Sequence, residues 1–152
     1  MLVANVCEIE KLAIINSEIE RKIIENFMPG PLTIVLQKKN IVSDKLTAKK
    51  DTVGVRIPTN KIAQEILNAC KEPLATSSAN LSGKANKIDI KEIINELGDN
   101  VDIYINGKID KLAQASTVIQ VIDEKPSILR QGKITKEDII RPYDNPIGRE
   151  RN

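Results

Sequence analysis

Helix-start signals alternate with short apolar runs along the chain, and this alternation limits what it can fold into more than any other feature. Ser17 with Glu20, and Thr135 with Asp138, are capping-box signatures, in which a hydroxyl side chain and an acid three residues on satisfy each other's backbone N–H groups. Asn60, and Asp89 followed by Glu92, mark two further helix starts. The helix after Ser17 carries Ile19, Ile23, Ile24 and Phe27 at helical spacing until Pro29-Gly30-Pro31 stops it. That after Asn60 places Ile62, Ile66, Leu67 and Cys70 on one face, and that after Asp89 runs to Leu97 and ends at Gly98. Between the helices, Leu2–Val6, Leu32–Leu36, Thr52–Ile57, Val101–Ile105, Thr117–Ile122 and Ser127–Arg130 read as strands, with Pro73–Ser77 a small-residue strand or its exit. An apolar run at Leu2 means that the chain begins inside a sheet. The pattern predicts one α/β domain, a mixed sheet with flanking helices over residues 1–140, and a flexible tail over 141–152. Lys38–Asp51 is then a surface connection within that domain.

Composition removes several classes of function. The 152 residues contain no histidine, and the two cysteines, Cys7 and Cys70, stand alone, so a zinc site and a Ser/His/Asp triad lack their usual parts. Apolar content leans on isoleucine, whereas Phe27, Tyr104 and Tyr143 are the only aromatics, too few for base-stacking platforms. A net charge of +2 with both signs interspersed names no partner. Isolated thiols, and apolar runs too short to span a bilayer, predict a cytoplasmic protein with no membrane association.

Five stretches combine turn-forming residues with hydroxyl, amide or guanidinium groups at strand ends, where polar side chains converge on ligands. Met28-Pro-Gly-Pro-Leu-Thr33 reads as a rigid corner aiming the next strand. Arg56, in Thr52-Val-Gly-Val-Arg-Ile-Pro58, offers a fork of donors suited to carboxylate or phosphate, and equally suits a surface ion pair. Thr76-Ser-Ser-Ala-Asn-Leu-Ser-Gly83 has the small residues that let backbone N–H groups approach an anion, or forms an ordinary Ser/Asn turn. Ser116-Thr117 is an edge hydroxyl pair or part of a site, and Arg130, before Gly132, is a solvated arginine or a ligand clamp. Two arginines and a set of hydroxyls suit binding and positioning of anions, as in phosphoryl or adenylyl transfer, better than acyl hydrolysis.

In order and spacing, Phe27-Met-Pro-Gly-Pro-Leu-Thr-Ile-Val-Leu36, Val53-Gly-Val-Arg-Ile-Pro58, Pro73-Leu-Ala-Thr-Ser-Ser-Ala-Asn-Leu-Ser-Gly83, Ser116-Thr-Val118 and Ile128-Leu-Arg-Gln-Gly-Lys-Ile-Thr135 resemble the Sua5/YciO/YrdC family, the threonylcarbamoyl-AMP synthases. The resemblance runs from Met1 to about Thr135. It implies a YrdC-like twisted mixed sheet around a positively lined cavity. It also implies a nucleotidyltransferase that joins L-threonine, bicarbonate and ATP into threonylcarbamoyl-AMP with release of pyrophosphate. The product serves the threonylcarbamoyladenosine modification of tRNA, through downstream tRNA threonylcarbamoyl transferase proteins. By motif, Arg56 would grip the threonine carboxylate with Thr76 and Ser116 beside that substrate, while Thr52, Ser78, Asn86 and Arg130 would contact ATP. Asn80, Ser82 and Gly83 complete the signature loop, and Mg2+ would share the phosphate charge. Gln120 stands where the family often has aspartate.

The resemblance also implies an N-terminally incomplete domain. Family members open with a threonine-rich strand and turn, then a Lys-x-Arg motif and a further lysine; none of this precedes Leu2, and no Lys-x-Arg occurs in the chain. A genuine deletion, a late start codon or a shortened product would each account for that. Lost phosphate-binding donors would cost about 3 kcal/mol each in sites of this kind, leaving a poor catalyst. Missing strands would expose apolar faces and a sheet edge and favour association. Beside the enzyme stand two alternatives: an RNA-binding module, catalytically impaired, for tRNA or double-stranded RNA, and a regulatory subunit pairing through its open edge.

Overall fold

A computed structural model describes residues 1–107 and 114–141. Contacts within the expected domain gather into two compact units, one of Met1–Ala75 and Gln114–Asn152, the other of Thr76–Ala113.

The first unit is built on a mixed sheet whose centre is β2 (Leu32–Lys38). Along one edge β2 pairs antiparallel with β3 (Thr52–Val55), Ile34 facing Val55 and Gln37 facing Thr52. Along the other it pairs parallel with β4 (Thr117–Ile122), from Leu32 against Thr117 to Val35 against Gln120, and antiparallel with the two-residue β1 (Ala13–Ile14). β5 (Lys125–Arg130) returns antiparallel on β4 through Asp123 and Glu124, both at positive φ (48° and 58°), the backbone of a hairpin turn whose twist matches its strands. Five helices belong to this unit among the described residues: α1 (Val6–Leu12), α2 (Glu18–Phe27), α3 (Asp44–Thr47), α4 (Lys61–Cys70) and α6 (Lys136–Ile140); α5 (Ile90–Leu97) lies in the second.

Strand periodicity divides the sheet into two chemically distinct faces. Leu32, Ile34 and Leu36, Val53 and Val55, Ile57, and Ile119 are buried, and join Ile9 and Leu12 of α1, Ile23 and Ile24 of α2 and Ile139 of α6 in one core. The alternate residues Thr33, Val35, Thr52, Gly54, Arg56, Val118 and Gln120 are only half-buried. The polar side chains of Thr33, Thr52, Arg56 and Gln120 therefore fall on the half-open face, whereas Thr117 of β4 is buried.

Helix starts follow the sequence closely. Ser17 Oγ accepts from the Glu20 N–H at 3.1 Å while Glu20 accepts from the Ser17 N–H at 3.2 Å, an arrangement worth about 1 kcal/mol. Thr135 and Asp138 form the second box, Asn60 accepts from the Ala63 N–H, and Asp89 accepts from the Lys91 and Glu92 N–H groups.

Elsewhere the structure corrects the expectation. Leu2–Val6 is not a continuous strand. Leu2 does sit inside the sheet, bridging Arg56 in parallel and Leu74 antiparallel, but Asn5 then accepts from the Glu8 N–H and starts α1. Pro73–Ser77 contributes only that Leu74 bridge. Val101–Ile105 forms no strand, with Ile103 75% exposed, because an alternating pattern without a neighbouring strand has nothing to pair with. On α4 only Leu67 of the four expected face residues is fully buried, and Cys70 is exposed. Lys38–Asp51 contains the single-turn helix α3. The tail expected from Arg141 lies, past Arg141 itself, outside the described residues. No helix among the described residues is long and apolar enough to cross a membrane.

The second unit holds α5 (Ile90–Leu97), followed by a 3-10 turn at Gly98–Asn100. Tyr104 donates its hydroxyl to the Gly98 carbonyl at 2.6 Å.

Candidate functional site

In the first unit, polar side chains converge at one end of the half-open face, built by three neighbouring pieces of chain. The Pro29-Gly30-Pro31 corner comes first. A Cβ at Gly30 would stand 2.1 Å from the Phe27 carbonyl oxygen, so the corner accepts only glycine. Its backbone is tied to the end of β3 by the Gly30 N–H to the Ile57 carbonyl, at 2.9 Å, and its Gly30 carbonyl accepts from Arg56 Nε, also at 2.9 Å. The corner is structural, as expected, and also anchors Arg56. With Nε engaged, the two terminal nitrogens of the guanidinium remain for a ligand.

Ser116 and Arg130 form the second piece. Arg130 Nη2 donates to the Ser116 carbonyl at 2.9 Å and to its hydroxyl at 3.2 Å. Ser116 is buried, and its Oγ lies 3.0 Å from Thr33 Oγ1 on β2. Thr117, fully buried, locks the third piece in place. Its hydroxyl donates to the Ile134 carbonyl (2.7 Å) and accepts from the N–H groups of Gly132 (3.1 Å) and Ile134 (3.0 Å). Gly132 is packed so closely that a Cβ there would meet the Ala115 carbonyl oxygen at 2.3 Å. The turn after Arg130 is thereby held against Ser116.

Electrostatically the cluster is cationic and unneutralised. The ion pairs of the described residues join Arg21 to Glu10, Lys22 to Glu18, Lys38 to Asp44, and Lys87 to Glu92 and Glu96; none involves Arg56 or Arg130. Burial, and secondarily the charge of Arg130, bring the Arg56 guanidinium below the ordinary arginine value. Two guanidinium groups, the charge of Arg130 acting on Arg56, among hydroxyls and with no carboxylate of the described residues paired to them, make an anion-binding arrangement.

Of the residues singled out in the sequence, Arg56, Ser116 and Arg130 are brought together. Thr52 shares their face but pairs with Gln37, four residues along β3, about 13 Å from Arg56 at the usual strand rise. Thr76, Ser78, Asn80, Ser82, Gly83 and Asn86 belong to the second unit. There Thr76, Ser78, Ser82 and Asn86 are exposed, and Gly83 takes φ 82°, a left-handed position that suits glycine. Asn80 Nδ2 donates to the Leu81 and Lys84 carbonyls, both at 2.9 Å, which closes the loop on itself. Glu96 of α5 accepts from the Leu81 N–H at 2.8 Å and pairs with Lys87, and Glu96 and Lys87 line a shallow cavity of about 440 Å³ with Lys84 and Asn86. The sequence reading missed Thr33 as a site residue and Thr117 as a buried hub. Both lay in stretches already marked, but strand direction was needed to say which way each hydroxyl faces.

No cluster of three His, Cys, Asp or Glu residues able to hold a metal occurs among the described residues. Cationic and hydroxyl donors around Arg56 and Arg130 do not fit a resident Mg2+.

The Sua5/yciO/yrdC family model, described as telomere recombination, matches residues 1–132. The chain belongs to this family. A Methanocaldococcus jannaschii protein provisionally named a threonylcarbamoyl-AMP synthase is 40% identical over 134 residues, covering 88% of this chain and 62% of that protein. The threonylcarbamoyl-AMP synthase of Pyrococcus abyssi is 31% identical, covering 91% of this chain and 42% of the enzyme. The crystal structure of P. abyssi Sua5 complexed with L-threonine matches with a TM-score of 0.85 at 31% identity, over 92% of this chain and 41% of that one. E. coli YciO matches with a TM-score of 0.73 at 30% identity, over 84% and 62% of the two chains. This chain thus spans about two fifths to three fifths of the length of these relatives.

Proposed function

We propose that this chain carries the substrate-binding part of an L-threonylcarbamoyladenylate synthase. In that reaction the amine of L-threonine takes up bicarbonate as a carbamate with loss of water. A carbamate oxygen then attacks the α-phosphorus of ATP, and pyrophosphate leaves. The reading rests above all on one observation: Arg56 and Arg130 stand around Ser116 on the half-open sheet face with no carboxylate partner among the described residues.

Within the first unit, Arg56 holds the threonine carboxylate through its terminal nitrogens, with Ser116 beside that substrate. Arg130, aligned by Ser116, faces the phosphates of ATP, and Thr52 contacts the same nucleotide. The protein's contribution is to hold three anionic reactants together against their mutual repulsion, which converts a termolecular encounter into a local one. Mg2+ is expected to arrive on the ATP phosphates, since the described residues offer it no carboxylate cage, and no step is assigned to it. The product would pass to tRNA threonylcarbamoyl transferase proteins.

Pyrophosphate release from ATP tests this reading. Release that requires both L-threonine and bicarbonate, and falls at least tenfold in Arg56→Ala at subsaturating L-threonine, is expected. Release independent of threonine, or salt-sensitive retention of tRNA or double-stranded RNA with no binding of threonine or ATP, would overturn it.

A further inference from the structure

We propose that Thr33 is a positioning residue of this site, setting the Ser116 hydroxyl to donate its proton to the ligand. The proposal rests on the reading of Arg56 and Arg130 as an anion site. Ser116 Oγ has one proton and two acceptor positions. Arg130 Nη2 fills one of these from 3.2 Å. Thr33 Oγ1, at 3.0 Å, is the neighbour able either to donate to Ser116 or to accept from it, because a guanidinium only donates. A carboxylate or carbamate only accepts, so Ser116 must spend its proton on such a ligand. Thr33 then donates into the second acceptor position, and the chain from Thr33 through Ser116 to the ligand is polarised along its length. With Ser116 only 7% exposed, water is poorly placed to stand in for the threonine hydroxyl.

The local fold fixes Thr33 for this task. Its Cγ2 methyl lies 3.3 Å from where a Cβ on residue 54 would stand, so the methyl occupies the space left open by Gly54 on the neighbouring strand. A β-branched side chain has few rotamers, and with the methyl seated over Gly54 the hydroxyl faces Ser116.

Titration of L-threonine into the unchanged chain, Thr33→Val and Thr33→Ser tests this, with a urea midpoint as the check on folding. Thr33→Val keeps the shape and loses the hydroxyl; its threonine dissociation constant should rise roughly 3- to 10-fold. KM for threonine should rise with it while kcat changes less. Thr33→Ser should restore most of the affinity. Unchanged affinity in folded Thr33→Val, or an equal loss in Thr33→Ser, would overturn the proposal. If the unchanged chain does not bind threonine, the functional reading fails on its own. Sulfate, an acceptor-only probe of the same arginines, then decides about Thr33: weaker sulfate binding in Thr33→Val upholds the positioning role, and equal or absent sulfate binding refutes it.

Discussion

Arg130 donates to Ser116 twice, once to its carbonyl at 2.9 Å and once to its hydroxyl at 3.2 Å, so the arginine that ends β5 and the serine just before β4 act as one polar unit.

 The two residues are 14 positions apart in the chain, and the β4–β5 hairpin is what brings them within hydrogen-bond reach. Removing the other guanidinium tests how far this pair depends on it. Arg56→Ala should cost about 2 kcal/mol of anion affinity, roughly 30-fold, the usual worth of a hydrogen bond to a charged group. Arg56→Lys should recover only part of that, since an ammonium lacks the fork. Dissociation constants for L-threonine measure both.

Thr117 is a stability hub. Thr117→Val keeps the volume but leaves the Gly132 and Ile134 N–H groups without their acceptor, while the Ile134 carbonyl keeps Gln131 Nε2 at 2.8 Å. Buried groups orphaned in this way should cost about 2–4 kcal/mol, read as a lower urea midpoint with an unchanged m-value. Thr117→Ser, which retains the hydroxyl, should lose clearly less.

The β4–β5 turn stores backbone strain that can be relieved. Glu124 holds φ 58° with a side chain, in a turn that favours Asn-Gly. Glu124→Gly should stabilise the chain by about 0.5–1 kcal/mol in thermal or urea unfolding.

Acid should loosen the signature loop through Glu96. The Leu81 N–H, and then Lys84 and Lys87, hold this carboxyl below its ordinary value of 4.5. A carboxyl lowered by folding stabilises the native state fully above its unfolded value, and that contribution is lost as the pH falls through the lowered one. Hydrogen exchange at the Leu81 amide, corrected for intrinsic rates, should therefore lose protection below about pH 4.5 in the unchanged chain. Glu96→Gln should show a flatter dependence over the same interval.

What the sequence made legible was mostly local chemistry. The capping pairs Ser17–Glu20 and Thr135–Asp138 need only near neighbours, and both formed as read. Strands β2, β3 and β4 were legible because their apolar alternation matches a half-buried sheet. Val101–Ile105 carried the same alternation and formed no strand, because pairing is a long-range property that pattern alone does not contain. Asn5 and Glu8 started a helix inside an apolar run that hid them. At the site, Arg56, Ser116 and Arg130 stood out by residue type. Thr33 did not, since its role depends on the register that sets β2 beside β3 and β4.

The most direct measurement is a calorimetric titration of L-threonine into the unchanged chain and into Arg56→Ala. Saturable one-site binding by the unchanged chain, abolished or weakened at least tenfold in a folded Arg56→Ala, is the expected result. Equal binding by both, or none by the unchanged chain, would contradict the assignment of the guanidinium pair to an amino-acid carboxylate.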